Sequence, residues 1–139
     1  MVNRMKKHVL WILLVVITST VIANESSWLT VAEAVVKHID EAEAAYAKGD
    51  STEAKRAVVS AYFGVFEDRK MEAAMRMELG AKHTYLVEKN FGKFRKAIQQ
   101  NAGAEQVALI AEEIRLAMRR DALLLDQAGI PLEVFKVNQ

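Results

Sequence analysis

The chain has 139 residues, which is room for one ordinary domain and a targeting segment. Six Gly, one Pro and an abundance of Ala, Leu, Val, Glu and Lys favour helix over strand-and-turn architecture. The formal charge of +1 is far from the basic footprint of a nucleic-acid binder, and the absence of Cys excludes disulfides, iron–sulfur clusters, thiolate zinc sites and Cys-x-x-Cys-His haem attachment.

Residues 1–23 have the three parts of a secretory signal. Arg4, Lys6 and Lys7 precede an apolar run from Val9 to Ile17, and small residues then lead to Val21-Ile22-Ala23. The apolar stretch is about 15 residues long, whereas a spanning helix needs roughly 20, so cleavage before Asn24 is expected over retention as an anchor. Either outcome places residues 24–139 on the extracytoplasmic side, which in a two-membrane cell is the periplasm. The three basic residues leave with the signal, so the rest of the chain holds two more acidic than basic residues.

The remainder reads as four amphipathic helices. Ser26-Ser27 caps the first, on which Trp28, Val31, Val35, Ile39, Ala42 and Tyr46 form one stripe. Gly49 ends it, and Asp50 with Glu53 starts the second as a capping-box-like pair. The second helix buries Val58, Ala61, Tyr62, Val65 and Phe66. A third runs from about Lys82 to Gln100 with Val87, Phe91, Phe94 and Ile98 aligned, and residues 99–104 form the turn after it. A fourth runs from about Ala104 to Ala128 on Val107, Ile110, Ile114, Met118 and Leu125, until Gly129 and Pro131 stop it. Short connections between four such helices predict an antiparallel, up-down four-helix bundle over residues 24–139.

The second helix carries an inconsistency. Projected without a break, the face of Val58, Ala61, Tyr62 and Val65 next meets Arg69, Glu72 and Arg76, while Met71, Ala74 and Met75 fall nearly opposite. A core does not accept unpaired charges. Either the helix breaks or kinks near residues 67–71, or the bundle holds charged groups inside. Glu67 and Glu72 stand on either side of that discontinuity.

Two further polar residues lie on apolar stripes: Asp121 on the fourth helix and His83 at the head of the third. Inward carboxylates and imidazoles on facing helices are how bundles build metal sites, although the Glu-x-x-His pairs of di-iron bundles are missing. The structural alternatives are an exposed His83 at a helix start, and an Asp121 that pairs with Arg119 or Arg120 or faces water. His38, at the edge of the first stripe, reads as surface. Met71 and Met75 have the i, i+4 spacing for a shared soft-ligand face suited to cuprous ion, against the ordinary role of Met as a flexible core filler. No nucleophile–base arrangement, phosphate-cradling loop or zinc-protease motif is present, and no enzymatic activity is expected.

"AYFGVFEDRKMEAAMR" (Ala61 to Arg76) resembles a stretch of the extracytoplasmic N-terminal domain of bacterial high-affinity iron permeases. In that family a Tyr-Phe-x-x-Phe-Glu segment precedes Met-Glu-Ala-Ala, and the next helix carries a Glu, an aromatic and an Arg, matched here by Glu88, Phe91 and Arg95. The resemblance spans roughly Val36 to Leu125. The family's transmembrane part with its Arg-Glu-x-x-Glu iron motifs has no counterpart after residue 23. The resemblance therefore implies an accessory domain that works beside a membrane iron permease. Its cargo would be a metal cation, with iron ahead of copper, held without haem or nucleotide. The candidate ligands are Glu67 and Glu72, with Met71, Met75, His83, Glu88 and Asp121 as further ones. The alternative is a metal-free helical interaction or sensor module, in which Glu67, Glu72, Arg69 and Arg76 form ion pairs around a helix junction.

Overall fold

The structure, a computed structural model, describes residues 27–135, and these are all-helical with no strand. The expected signal segment, residues 1–23, lies outside the described residues. In chain order the elements are α1 (Trp28–Ala47), α2 (Ser51–Val59), a π-helical segment (Ser60–Glu67), α3 (Met71–Glu78), α4 (Ala81–Gln99), α5 (Ala104–Gln127) and a short 3-10 turn (Leu132–Phe135). No described helix is long and apolar enough to cross a membrane.

The local signals act at the expected places. Ser27 caps α1 by accepting from the Thr30 N–H at 3.3 Å, and Asp50 caps α2 by accepting from the Glu53 N–H at 2.9 Å. Glu53 does not reach back to complete the reciprocal box; its carboxylate bonds Arg56 instead. Gly49 ends α1 at φ +81°, a conformation open to Gly without penalty.

Four helices were expected, and five α-helices with a π segment are found, because the expected second helix is divided. The π segment closes wider turns than an α-helix, so Ala61 and Phe66, five residues apart, are both fully buried. Lys70 then takes a left-handed conformation at φ +65° and ends the run. Together these shifts re-set the helical phase. Met71, Ala74 and Met75 turn into the core, while Arg69 and Arg76 are exposed and Glu72 sits half-buried at its edge. The chain thus takes the broken-helix solution to the sequence's inconsistency and keeps those charges out of the core.

One continuous apolar core joins all five helices, with Trp28, Phe66, Phe94, Ile39, Met71 and Met75 as its largest fully buried members. Helices α1 and α5 run antiparallel along most of their length. Their seam is closed at one end by Trp28, whose indole N–H donates to the Ile130 carbonyl at 2.6 Å while its backbone N–H donates to Asp126 at 2.8 Å. Arg119 makes a two-pronged pair with Glu33 (2.7 and 3.0 Å). Arg115 gathers Asp40 (2.7 Å), Glu43 and Glu112 (3.3 Å). Beyond the far end of the seam, Tyr46 donates to Asn101 at 2.9 Å and accepts from the Gly103 N–H at 3.1 Å, tying the end of α1 to the α4–α5 turn.

Candidate functional site at the helix junction

The re-phased junction brings three of the candidate carboxylates to one neighbourhood. With Met71, Ala74 and Met75 fixed inward, Glu72 must lie on the flank of α3 that faces α4, and there it meets Glu88. Arg76, one turn after Glu72, places its Nη2 at 2.5 Å from Glu72 Oε1 and 2.9 Å from Glu88 Oε1. A single cationic nitrogen thus bridges carboxylates from two helices. Arg76 is itself 47% exposed at the side chain, so it reaches the pair from the solvent side.

This arrangement perturbs three groups, the first being Arg76, whose pKa is pushed further up by its bond to Glu72. Burial and the adjoining Glu72 carboxylate, which lies within hydrogen-bonding reach, push the Glu88 carboxyl above the ordinary carboxylate range; the attraction of Arg76 offsets only part of this. Tyr62, at the edge of the core, is pushed up to about 12, first by burial and then by the negative charges of Glu88, Glu72 and Glu67. Glu67, exposed at the end of the π segment, therefore contributes its field to the same neighbourhood although it does not touch the Glu72–Glu88 pair. The fields of three carboxylates reach one phenol, and Arg76 is bonded to two of the three. They do not close on a single point: among the described residues no three His, Cys, Asp or Glu side chains stand together as a ready metal cage.

The aromatic groups hold this geometry in place. Phe66 stacks on Phe91 at 5.5 Å between ring centroids, and Tyr62 meets Phe91 edge-on at 5.4 Å. Glu88, Phe91 and Arg95 line one groove of about 240 Å³ together with Val59, Tyr62 and Phe63, and Phe63 is largely exposed. The π backbone forms one wall of that groove.

The other candidate residues lie elsewhere. Met71 and Met75 are fully buried among apolar side chains, in the core-filling role. Asp121 is fully buried and does pair with an arginine of its own helix, Arg120 (2.7 and 3.2 Å), while Arg119 is occupied with Glu33. Asp121 also faces His83 Nε2 at 2.8 Å, so both polar residues that the sequence put on apolar stripes meet each other across α4 and α5. His38 is half-buried and pairs with Glu41 at 2.7 Å on its own helix. The tie between Glu72 and Glu88 is not visible in a one-dimensional reading, since it depends on the phase shift between α2 and α3. The resemblance named both residues, but gave no sign that one arginine would join them.

No family model matches the chain, and no curated protein or solved structure matches it.

Proposed function

We propose that this chain is an extracytoplasmic accessory protein of metal-ion uptake, with iron as its first candidate cargo. It would hold a cation at the Glu72–Glu88 junction and work beside a membrane permease, on a framework that we read as an up-down four-helix bundle with a divided second helix. The observation that carries this reading is the position of Arg76 Nη2, a positive centre bonded at once to carboxylates of α3 and α4. A cation that displaces the exposed guanidinium would find two oxygen ligands already converging. Hard cations take carboxylate oxygens, and iron also accepts them. The raised Glu88 carboxyl means that a proton competes for the same place, so cation uptake strengthens as pH rises and a proton leaves. No covalent step is involved; the chemistry is reversible coordination.

Calorimetric titration of the protein with ferrous, ferric and cuprous ions, repeated on Glu72→Gln/Glu88→Gln, tests the reading. Binding heat for an iron ion that vanishes in the double variant supports it. Absence of heat for every ion, with the fold intact by circular dichroism, removes it.

A second reading is a metal-free interaction module, favoured by the same Arg76 in its present place. There the Glu72–Arg76–Glu88 bridge fixes α3 against α4, and the groove beside it receives a partner.

A further inference from the structure

Helix α5 has a second apolar row that the core does not use. Val107, Ile114, Met118 and Leu125 point inward, whereas Leu109, Leu116 and Leu123 stand on the opposite side and are 56%, 59% and 47% exposed. Residues seven apart drift by only about 20° per repeat on a straight helix, so the three leucines form a nearly straight row on the outer face. Leu86 of α4, 52% exposed, lines the same surface groove as Leu116 and widens the patch at its middle.

The charges beside this row are ordered about Leu116. Glu112 and Glu113 stand four and three residues before it, and Arg119 and Arg120 three and four residues after it. Leu109 and Leu123 complete the symmetry at seven residues on either side. A row with acids on one half and arginines on the other complements itself when turned end for end. In a parallel pairing, by contrast, Glu would stand against Glu and Arg against Arg.

We propose that a second copy of this chain docks here, α5 against α5 and antiparallel, about a two-fold axis through Leu116. In that pairing Leu116 meets Leu116 of the second copy, and Leu109 meets Leu123 of the second copy. On one flank of the seam Glu113 faces Arg120 of the second copy, and on the other Glu112 faces Arg119 of the second copy. The internal bonds of the arginines leave room for this. Arg119 uses Nε and Nη2 on Glu33, and Arg120 uses Nε and Nη2 on Asp121, so each keeps Nη1. Glu113 is exposed and makes no ion pair among the described residues. An isologous contact of this kind closes on itself as a dimer. It lies on the outer face of α5, away from the α2–α4 groove, and does not depend on whether the junction holds a cation.

Sedimentation velocity on the full chain and on Leu116→Glu tests the proposal. The expected result is a dimer for the unmodified chain and a monomer for Leu116→Glu, with unchanged helical circular dichroism because the side chain is exposed. Since both chains carry the same N-terminal segment, the difference between them reports α5 alone. The native absence of Cys allows a direct test of direction with single-Cys variants. Under mild oxidation Leu116→Cys cross-links to itself, and Leu109→Cys cross-links to Leu123→Cys but not to itself. A monomeric unmodified chain, a Leu116→Glu variant that stays dimeric, or self-cross-linking of Leu109→Cys would each overturn the proposal.

Discussion

The α1–α5 seam and the α3–α4 junction are both held by charged side chains, but they treat charge differently. Along the seam Arg119 and Glu33 meet one to one, and Arg115 is surrounded by Asp40, Glu43 and Glu112 on regular helices. Burial works against the Arg115 charge, yet its bonds to Glu43 and Asp40 push its pKa further up, so it stays a fixed cation. Glu33 is held below the ordinary carboxylate range by the Arg119 guanidinium bonded to it. At the junction the opposite holds. Glu88 is held above that range, Glu72 and Glu88 share one exposed arginine, and the backbone that leads into α3 departs from the α-helix twice, in the π segment and at Lys70. Charges in the seam stabilise the fold, whereas charges in the junction leave a carboxylate pair that a proton or a cation can still improve.

The largest effect that follows is in the seam. Trp28→Ala removes a fully buried indole together with its bond to Ile130, and is expected to lower unfolding free energy by about 3–5 kcal/mol in denaturant titration. A loss of less than about 1 kcal/mol would show that the seam is not where the fold is anchored. Arg115→Ala should cost about 1 kcal/mol, discounted because its acidic partners are partly exposed. Arg76→Ala, whose guanidinium reaches the junction from the solvent side and whose loss Glu88 can meet by taking up a proton, should lower the melting temperature by less than Arg115→Ala does. Equal losses for the two arginines would erase the contrast between the regions.

The two glutamates give opposite pH signatures. The raised Glu88 contributes stability that is fully present below the ordinary carboxylate range and is lost as pH rises through its raised value. The lowered Glu33 contributes stability that is present above that range and is lost as pH falls through its lowered value. Denaturant titrations across the acid-to-neutral range should therefore show, for Glu88→Gln, the loss of the decline that the parent undergoes on approaching neutrality. An identical pH profile in the two proteins would mean that the fold does not favour the protonated carboxyl.

A smaller effect tests the backbone. Lys70 pays for its left-handed conformation, so Lys70→Gly is expected to raise stability by about 0.5 kcal/mol, read as a small upward shift in melting temperature. A decrease would indicate that the lysine side chain, rather than the backbone, sets the break.

Much of this contrast could be read from the chain, and the unreadable part has a physical cause. Caps and stripes are local, so Ser27, Asp50 and the apolar faces of the long helices fall where their spacing predicts. The break after Phe66 was also legible, because an unbroken helix would have driven Arg69 and Arg76 inward. The π segment was not: it has no residue signature, only an extra fraction of a turn that shows up later as a changed phase. Without that phase the meeting of Glu72 with Glu88 is invisible, as is the joining of Arg115 to Asp40 across 75 positions of sequence. The stripe position of Asp121 leaves a cation, Arg119, Arg120 and water open as its partner; Arg120 pairs with it, and His83, 38 positions away, supplies the second contact only through the packing of α4 on α5.

The central claim is that Arg76 occupies a cation's place between Glu72 and Glu88, and calorimetric titration of Arg76→Ala with ferrous ion, beside the parent protein, tests it most directly. The account predicts tighter binding in Arg76→Ala, because the internal competitor is gone and both carboxylates remain. Binding that is absent from both proteins, or weaker once Arg76 is removed, would contradict it and leave the Glu72–Arg76–Glu88 bridge as a clamp between helices.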